Sequence, residues 1–333
     1  MAIMNLKRST VAVLGVVSML ATSLTVMPAY SQGAQTVKAD GSSTVYPLTE
    51  AAAAGFKKSQ PNVKVTVGNS GTGGGFKKFC RGETDISNAS RPILQKEIEA
   101  CNKAGIKYIE IPVAFDGITV VVNPANNWAG RLTTAELKKV WQSAAQGKIT
   151  NWNQVYPSFP NQPIRLFGPG TNSGTFDYFT EAINGKKGDS RGDYTASEDD
   201  NVLVQGVSRD KGALGYFGYA YYVENQKKLK AVAINNVLPS EATIKSGKYN
   251  PLSRPIFIYI NANSAKKPEV KAFIENYLQN GEKYAKQAKY VALPSSAYTA
   301  GLAKFRANKV GTVFGGKEEI GASISEILRR TAK

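Results

Sequence analysis

From Thr36 onward, short runs of alternating apolar and polar residues give way to longer runs whose apolar positions recur at helical spacing. Val63–Val67 reads as a strand, 48–58 as an alanine-rich helix, Gly75–Arg81 as a second helix and Ile106–Ile111 as a strand. Strand and helix taking turns in this way predict an α/β fold. Two apolar stretches, Pro112–Pro124 and Pro255–Ala262, have no helical partner beside them and suit strands that cross between lobes. The chain is therefore expected to build lobe one from residues 32–113 and 255–333 and lobe two from residues 114–254. Helices are expected around Val270–Leu278 and Ile320–Arg330. The acid-rich segment Asp189–Asn201 reads as a solvated surface loop, and Lys211–Tyr222 as a tight turn and helix packed on a sheet.

The first 31 residues change the picture of where the protein works. Lys7 and Arg8 precede an apolar stretch, Val11–Val26, and Ala29-Tyr30-Ser31 has the small residues of a cleavage site. That is the layout of a secretory signal peptide, so the mature chain is expected to begin near Gln32. Export favours a structural disulfide between Cys80 and Cys101, the two cysteines of the chain.

Formal net charge is +17 with no histidine. The missing histidine removes the usual general base, the Ser-His-Asp triad and most zinc chemistry, so neither an enzyme nor a metal or cofactor site is expected. The positive field favours anionic partners. Lysines are scattered through the chain instead of massed on one arm, which argues against nucleic acid.

One tetrapeptide carries most of the functional information. Asn-Ser-Gly-Thr occurs as Asn69-Ser70-Gly71-Thr72 and again as Asn172-Ser173-Gly174-Thr175, each leading from a strand-like run toward a helix. Asp40-Gly41-Ser42-Ser43-Thr44 makes a third junction of the same kind ahead of Pro47. Such junctions present free N–H groups at the positive end of a helix dipole, and Ser or Thr hydroxyls add donors without charge. Three of them facing one cleft would enclose a tetrahedral oxyanion. A P-loop is excluded because neither copy ends in Lys-Ser/Thr, and Ser70 and Ser173 have no histidine to make them nucleophiles.

Taken with Ala89-Ser90-Arg91-Pro92, Phe115-Asp116-Gly117-Ile118-Thr119-Val120 and Gly212-Ala213-Leu214-Gly215-Tyr216, these segments resemble the periplasmic phosphate-binding proteins of ABC-type phosphate transporters. The resemblance spans nearly the whole mature chain. It implies a type II periplasmic binding protein, two α/β lobes joined by two crossing strands, that is monomeric and binds inorganic phosphate in the periplasm for a membrane permease. Ser43, Thr44, Ser70, Thr72, Ser173, Gly174 and Thr175 would then supply the phosphate donors. The chain departs from the best-known members where they carry Asp after Ala-Ser and Arg four residues before the Ser-Gly-Thr serine: Arg91 and Pro169 stand there. Arg91 is accordingly expected as the cationic donor, and Asp116, or failing it Asp85, as the carboxylate that accepts the phosphate proton. Other readings are a binding protein for sulfate, molybdate or arsenate, a secreted phosphatase, or an adhesin for acidic polymers.

Overall fold

Strands β1 (Thr36–Gly41), β2 (Lys64–Val67) and β3 (Ile86–Ala89) alternate with helices α1 (Tyr46–Ser59) and α2 (Gly71–Phe79) and pair in parallel around β1. This is a computed structural model, and it describes residues 1–2, 35–321, 326 and 329–330. All but two residues of the expected signal segment, and most of the helix expected around 320–330, lie outside the described residues.

Local sequence accounts for α1. Pro47 lies in its first turn, Ala51–Ala54 favour helix, and Lys57 and Lys58 sit at its negative end. Helix α2 is different, because three consecutive glycines argue against a helix. Packing overrides propensity there: Phe76 and Phe79 are buried, and a Cβ on Gly75 would lie 2.5 Å from the Gly41 Cα. Only glycine lets α2 seat this closely on the end of β1. A disulfide, Cys80–Cys101 with an S–S distance of 2.04 Å, ties the end of α2 to α3 (Gln95–Lys103), as the export reading requires.

Strand β4 (Tyr108–Val122) is buried along its whole length. After it come β5 (Arg131–Leu132), α4 (Thr134–Trp141), α5 (Trp152–Val155), β6 (Arg165–Gly168), α6 (Gly174–Phe179) and β7 (Thr195–Ala196). The chain continues through α7 (Asp200–Arg209), β8 (Ala213–Gly218), α8 (Tyr219–Glu224), β9 (Lys230–Ala231), β10 (Ala233–Ile234) and β11 (Ser253–Asn261). Eight strands lie side by side in the order β2-β1-β3-β11-β4-β8-β6-β7, with β9 added on β4. β5 and β10 form a separate parallel pair.

The two expected crossing strands are β4 and β11. They pair antiparallel from Tyr108–Asn261 to Gly117–Ser253, and β4 then turns its remaining residues, Ile118–Val122, to β8. The side chains of β4 divide between two cores. Ile109, Ile111, Val113 and Ala114 pack with Phe56, Ile258 and Phe273, whereas Phe115, Ile118 and Val120 pack with Trp141, Phe179 and Tyr216. Phe76, Phe79, Phe257 and Tyr259 extend the former side, and Leu203, Val207 and Phe217 the latter.

Two sequence expectations need correction. The 189–201 segment is not a solvated loop throughout: Arg191 and Asp200 are buried, β7 joins the main sheet, and α7 begins at Asp200. Arg191 is drawn in because its guanidinium donates to the carbonyls of Val140 and Ile149 and to Asp193. The 211–222 segment is a turn, a fully buried strand and a short helix, since its small and aromatic residues fill the sheet centre.

Candidate functional site

Three helix starts converge, and two of them touch through their hydroxyls. Thr44, just ahead of α1, and Thr175, in the first turn of α6, lie with their Oγ1 atoms 2.9 Å apart although they are 131 positions apart in the chain. Thr72, in the first turn of α2, lies 3.2 Å from the Ser90 Oγ and accepts from the Ser90 N–H. Gly174 closes the gap between these two groups. A Cβ there would stand 2.6 Å from the Thr72 Oγ1 and 2.7 Å from the Ser90 Oγ, so the α6 backbone sits directly against the α2 entry. Ser43, Thr44, Thr72, Ser90, Ser173 and Thr175 are all buried. Ser173 caps α6 by accepting from the Thr175 N–H.

The repeated tetrapeptides meet face to face. The Gly73 N–H donates to the Asn172 carbonyl at 2.8 Å, and the Lys77 ammonium reaches the Asn172 side chain. Two tyrosines brace the first junction from behind: Tyr221 donates to the Ser43 carbonyl at 3.0 Å and Tyr290 to the Thr44 carbonyl.

At the centre lies a cation that sequence patterns did not single out. Arg254 on β11 is 2% exposed; its guanidinium donates to the Thr175 Oγ1 at 2.7 Å, the Gly174 carbonyl at 3.2 Å and the Thr44 Oγ1 at 3.4 Å. Asp116 on β4 holds it through Nε at 3.2 Å and a terminal nitrogen at 3.0 Å. The other oxygen of Asp116 accepts from the Tyr219 N–H at 3.0 Å. Arg254 also lies over the Tyr178 ring, 5.6 Å from its centroid. The cluster thus offers hydroxyls, helix-start amides and one guanidinium in a buried setting. That is an oxyanion-binding chemistry.

The sequence matches the PBP superfamily domain over residues 28–280. It is 54% identical to Protein SphX of Synechococcus elongatus, over 96% of this chain and 95% of that protein. It is 40% identical to the phosphate-binding protein PstS of Staphylococcus saprophyticus, over 80% of this chain and 83% of that protein. The chain belongs to the PstS-type phosphate-binding proteins of the PBP superfamily. The fold agrees: a Clostridium perfringens protein whose crystal structure holds bound phosphate superposes with a TM-score of 0.68 at 26% identity, covering 78% of this chain and all of that one.

Within this PBP fold, the other expected site residues have other partners. Ser70 turns back to Asp40, donating through its N–H and its hydroxyl to one carboxylate oxygen, while Lys78 binds the other. Arg91 is buried, but Glu97 grips it bidentately at 2.8 Å and Asp177 takes its Nε at 2.7 Å. Burial works against its charge; Glu97 and Asp177 outweigh burial and hold the guanidinium above its ordinary value. Because Asp177 lies on α6 and Arg91 follows β3, this pair fastens the α2–α3 side to α6. Asp85 is remote from the cluster, paired to Lys267 and to the Lys38 N–H.

Proposed function

We propose that the chain captures inorganic phosphate in the periplasm and delivers it to the membrane permease of an ABC-type phosphate transporter, acting as a monomer without covalent chemistry. The observation that carries this reading is the convergence of Thr44, Thr175 and the Gly174 carbonyl on Arg254, with Thr72 set against Gly174. A dehydrated phosphate needs several hydrogen bonds per oxygen, and this cluster supplies them mainly from neutral dipoles. The Arg254–Asp116 pair is neutral overall, so it orients the anion without the cost of an isolated buried charge.

Under this reading Ser43, Thr44, Thr72, Ser173, Gly174 and Thr175 hold the phosphate oxygens together with Arg254 and Ser90. Asp116 fixes Arg254, and Arg91 acts by joining the two sides through Asp177. Residues 32–113 and 255–333 move as one lobe and 114–254 as the other, bending at β4 and β11, and the anion stabilises the closed arrangement. The segment 1–31 is removed on export. The absence of histidine, and among the described residues the lack of a base hydrogen-bonded to the Thr44, Thr72, Ser90 or Thr175 hydroxyl, support a binding role over a phosphatase.

Calorimetric titration of the refolded, anion-free mature protein with phosphate and then sulfate tests the proposal. Saturable binding of phosphate at one site per chain, lost in Arg254→Met, is the expected result. A protein that takes up neither anion, or one that prefers sulfate, would overturn it.

A further inference from the structure

Asp200 is a buried carboxyl without a task in the site as described so far. Asp200 is the first residue of α7, after Asp199, whose side chain caps that helix by accepting from the Asn201 N–H. Asp200 is 1% exposed, and neither of its carboxyl oxygens has a hydrogen-bond partner among the described residues. A carboxylate orphaned at this depth would be strongly disfavoured, whereas the neutral acid is tolerated and keeps an O–H to give. The turn that carries it lies against the anion cluster: Glu198, two residues before it, accepts from the Asn172 N–H at 3.1 Å and reaches Gly71 and Gly170. Asp116 on β4 and Arg254 on β11 act on it, with Asp199 and Glu198 beside it in its own turn. Tyr221 on α8 and Tyr290, the residues whose hydroxyls hold the Ser43 and Thr44 carbonyls, are its other titratable neighbours.

Charge balance says which form belongs there. With Asp200 ionised, the cluster would hold two carboxylates against one guanidinium and repel an incoming dianion. With Asp200 neutral, the cluster is uncharged and gains a donor. Burial first, and then Asp116, push this carboxyl up to about 8, with Arg254 opposing.

We propose that Asp200 stands in the site as a neutral carboxylic acid and donates its O–H to an oxygen of the captured anion, so that tight capture requires that proton. The ligand class is a tetrahedral oxyanion presenting an unprotonated oxygen. This rests on the oxyanion reading given above and assigns that site a further donor. The sign follows directly. The bound anion favours the protonated acid, so at alkaline pH binding takes up a proton, and the dissociation constant rises by up to about tenfold per pH unit.

The test is calorimetric titration with phosphate between about pH 8 and pH 9.5, in buffers of different ionisation enthalpy. Across this range phosphate is essentially the dianion, so its own titration adds little. For the wild-type protein, uptake approaching one proton per phosphate and a roughly tenfold weakening are expected. Asp200→Asn, which keeps a neutral donor, should show less than a threefold change and no added uptake. Should that variant fail to fold, Asp200→Ser takes its place and should likewise lose the uptake; uptake retained in the variant overturns the proposal, because Glu318, which burial raises to about 8 and on which Arg254 also acts, would then be its source. Zero uptake by the wild-type protein overturns the proposal. So does an Asp200→Asn variant that newly binds sulfate, because Asp200 would then be an ionised acceptor for a P–OH. Either result leaves phosphate capture standing, whereas a wild-type protein that ignores phosphate at pH 8 removes the underlying reading as well.

Discussion

Arg254 and Asp116 face each other as register partners on the two long strands, and their side chains meet at 3.0 Å with no solvent exposure on either. The cation of the anion cluster is therefore carried by the strands that join the two cores and is fixed by its cross-strand neighbour. Helix ends on both sides are brought to it.

Removing Arg254 should separate binding from stability. Arg254→Met leaves Asp116 buried without its cation, which costs about 3–5 kcal/mol in urea unfolding. Phosphate affinity should fall at least about a hundredfold, the scale of a lost charge-assisted hydrogen bond in a buried site. The double variant Arg254→Met/Asp116→Asn should recover much of the stability and none of the affinity. Recovery of binding in that double variant would show that the guanidinium is not the anchor.

Asp177 offers a milder perturbation. Asp177→Asn weakens its bond to Arg91, yet Glu97 still neutralises that guanidinium. Calorimetry should show phosphate affinity reduced about three- to tenfold through a less stable closed form, with unfolding free energy changed by less than about 1 kcal/mol. In the same assay Glu97→Gln should act mainly on stability, because it leaves Arg91 buried with only the partly exposed Asp177.

At Gly174 the constraint is space. In Gly174→Ala the added methyl would press on the Thr72 and Ser90 hydroxyls. A drop in phosphate affinity of more than about tenfold is expected, with a modest change in melting temperature, because the clash falls on the approach of α6 to α2 and not in either core. Unchanged affinity would mean that these helix starts separate when the anion is bound.

Asp200 also predicts a pH dependence of folding. Its carboxyl is raised to about 8 in the folded protein and titrates near the ordinary carboxylate value once unfolded. Its contribution is therefore fully present below about pH 4 and is lost as pH rises through about 8. In phosphate-free buffer, Asp200→Asn should be more stable than wild type at pH 8 by up to about 5 kcal/mol, a difference that shrinks toward zero near pH 4. Urea unfolding at several pH values checks this, and a variant less stable than wild type at pH 8 would contradict it.

The helix-start junctions were readable because their signal is local: small polar residues and glycine between a strand-like run and a helix, written twice in the same letters. Strands β4 and β11 were readable as long apolar runs. Arg254 was not, because one charge between Ser253 and Pro255 looks like the end of a strand, and its partner Asp116 lies 138 positions away. Asp200 was hidden differently, inside Glu198-Asp199-Asp200, where three successive acids look solvated and only the start of α7 turns one of them inward. Arg91 was expected as the cationic donor, but its pairing with Glu97, six positions on, competes with any anion for the same donors.

Just past the first repeated tetrapeptide, the Gly73 N–H binds the Asn172 carbonyl of the second, and Lys77 on the same helix binds the Asn172 side chain. The main-chain bond is indifferent to what the Asn172 side chain is, whereas the Lys77 bond depends on it. Exchanging Asn172 would therefore give up one latch of the closed arrangement and keep the other.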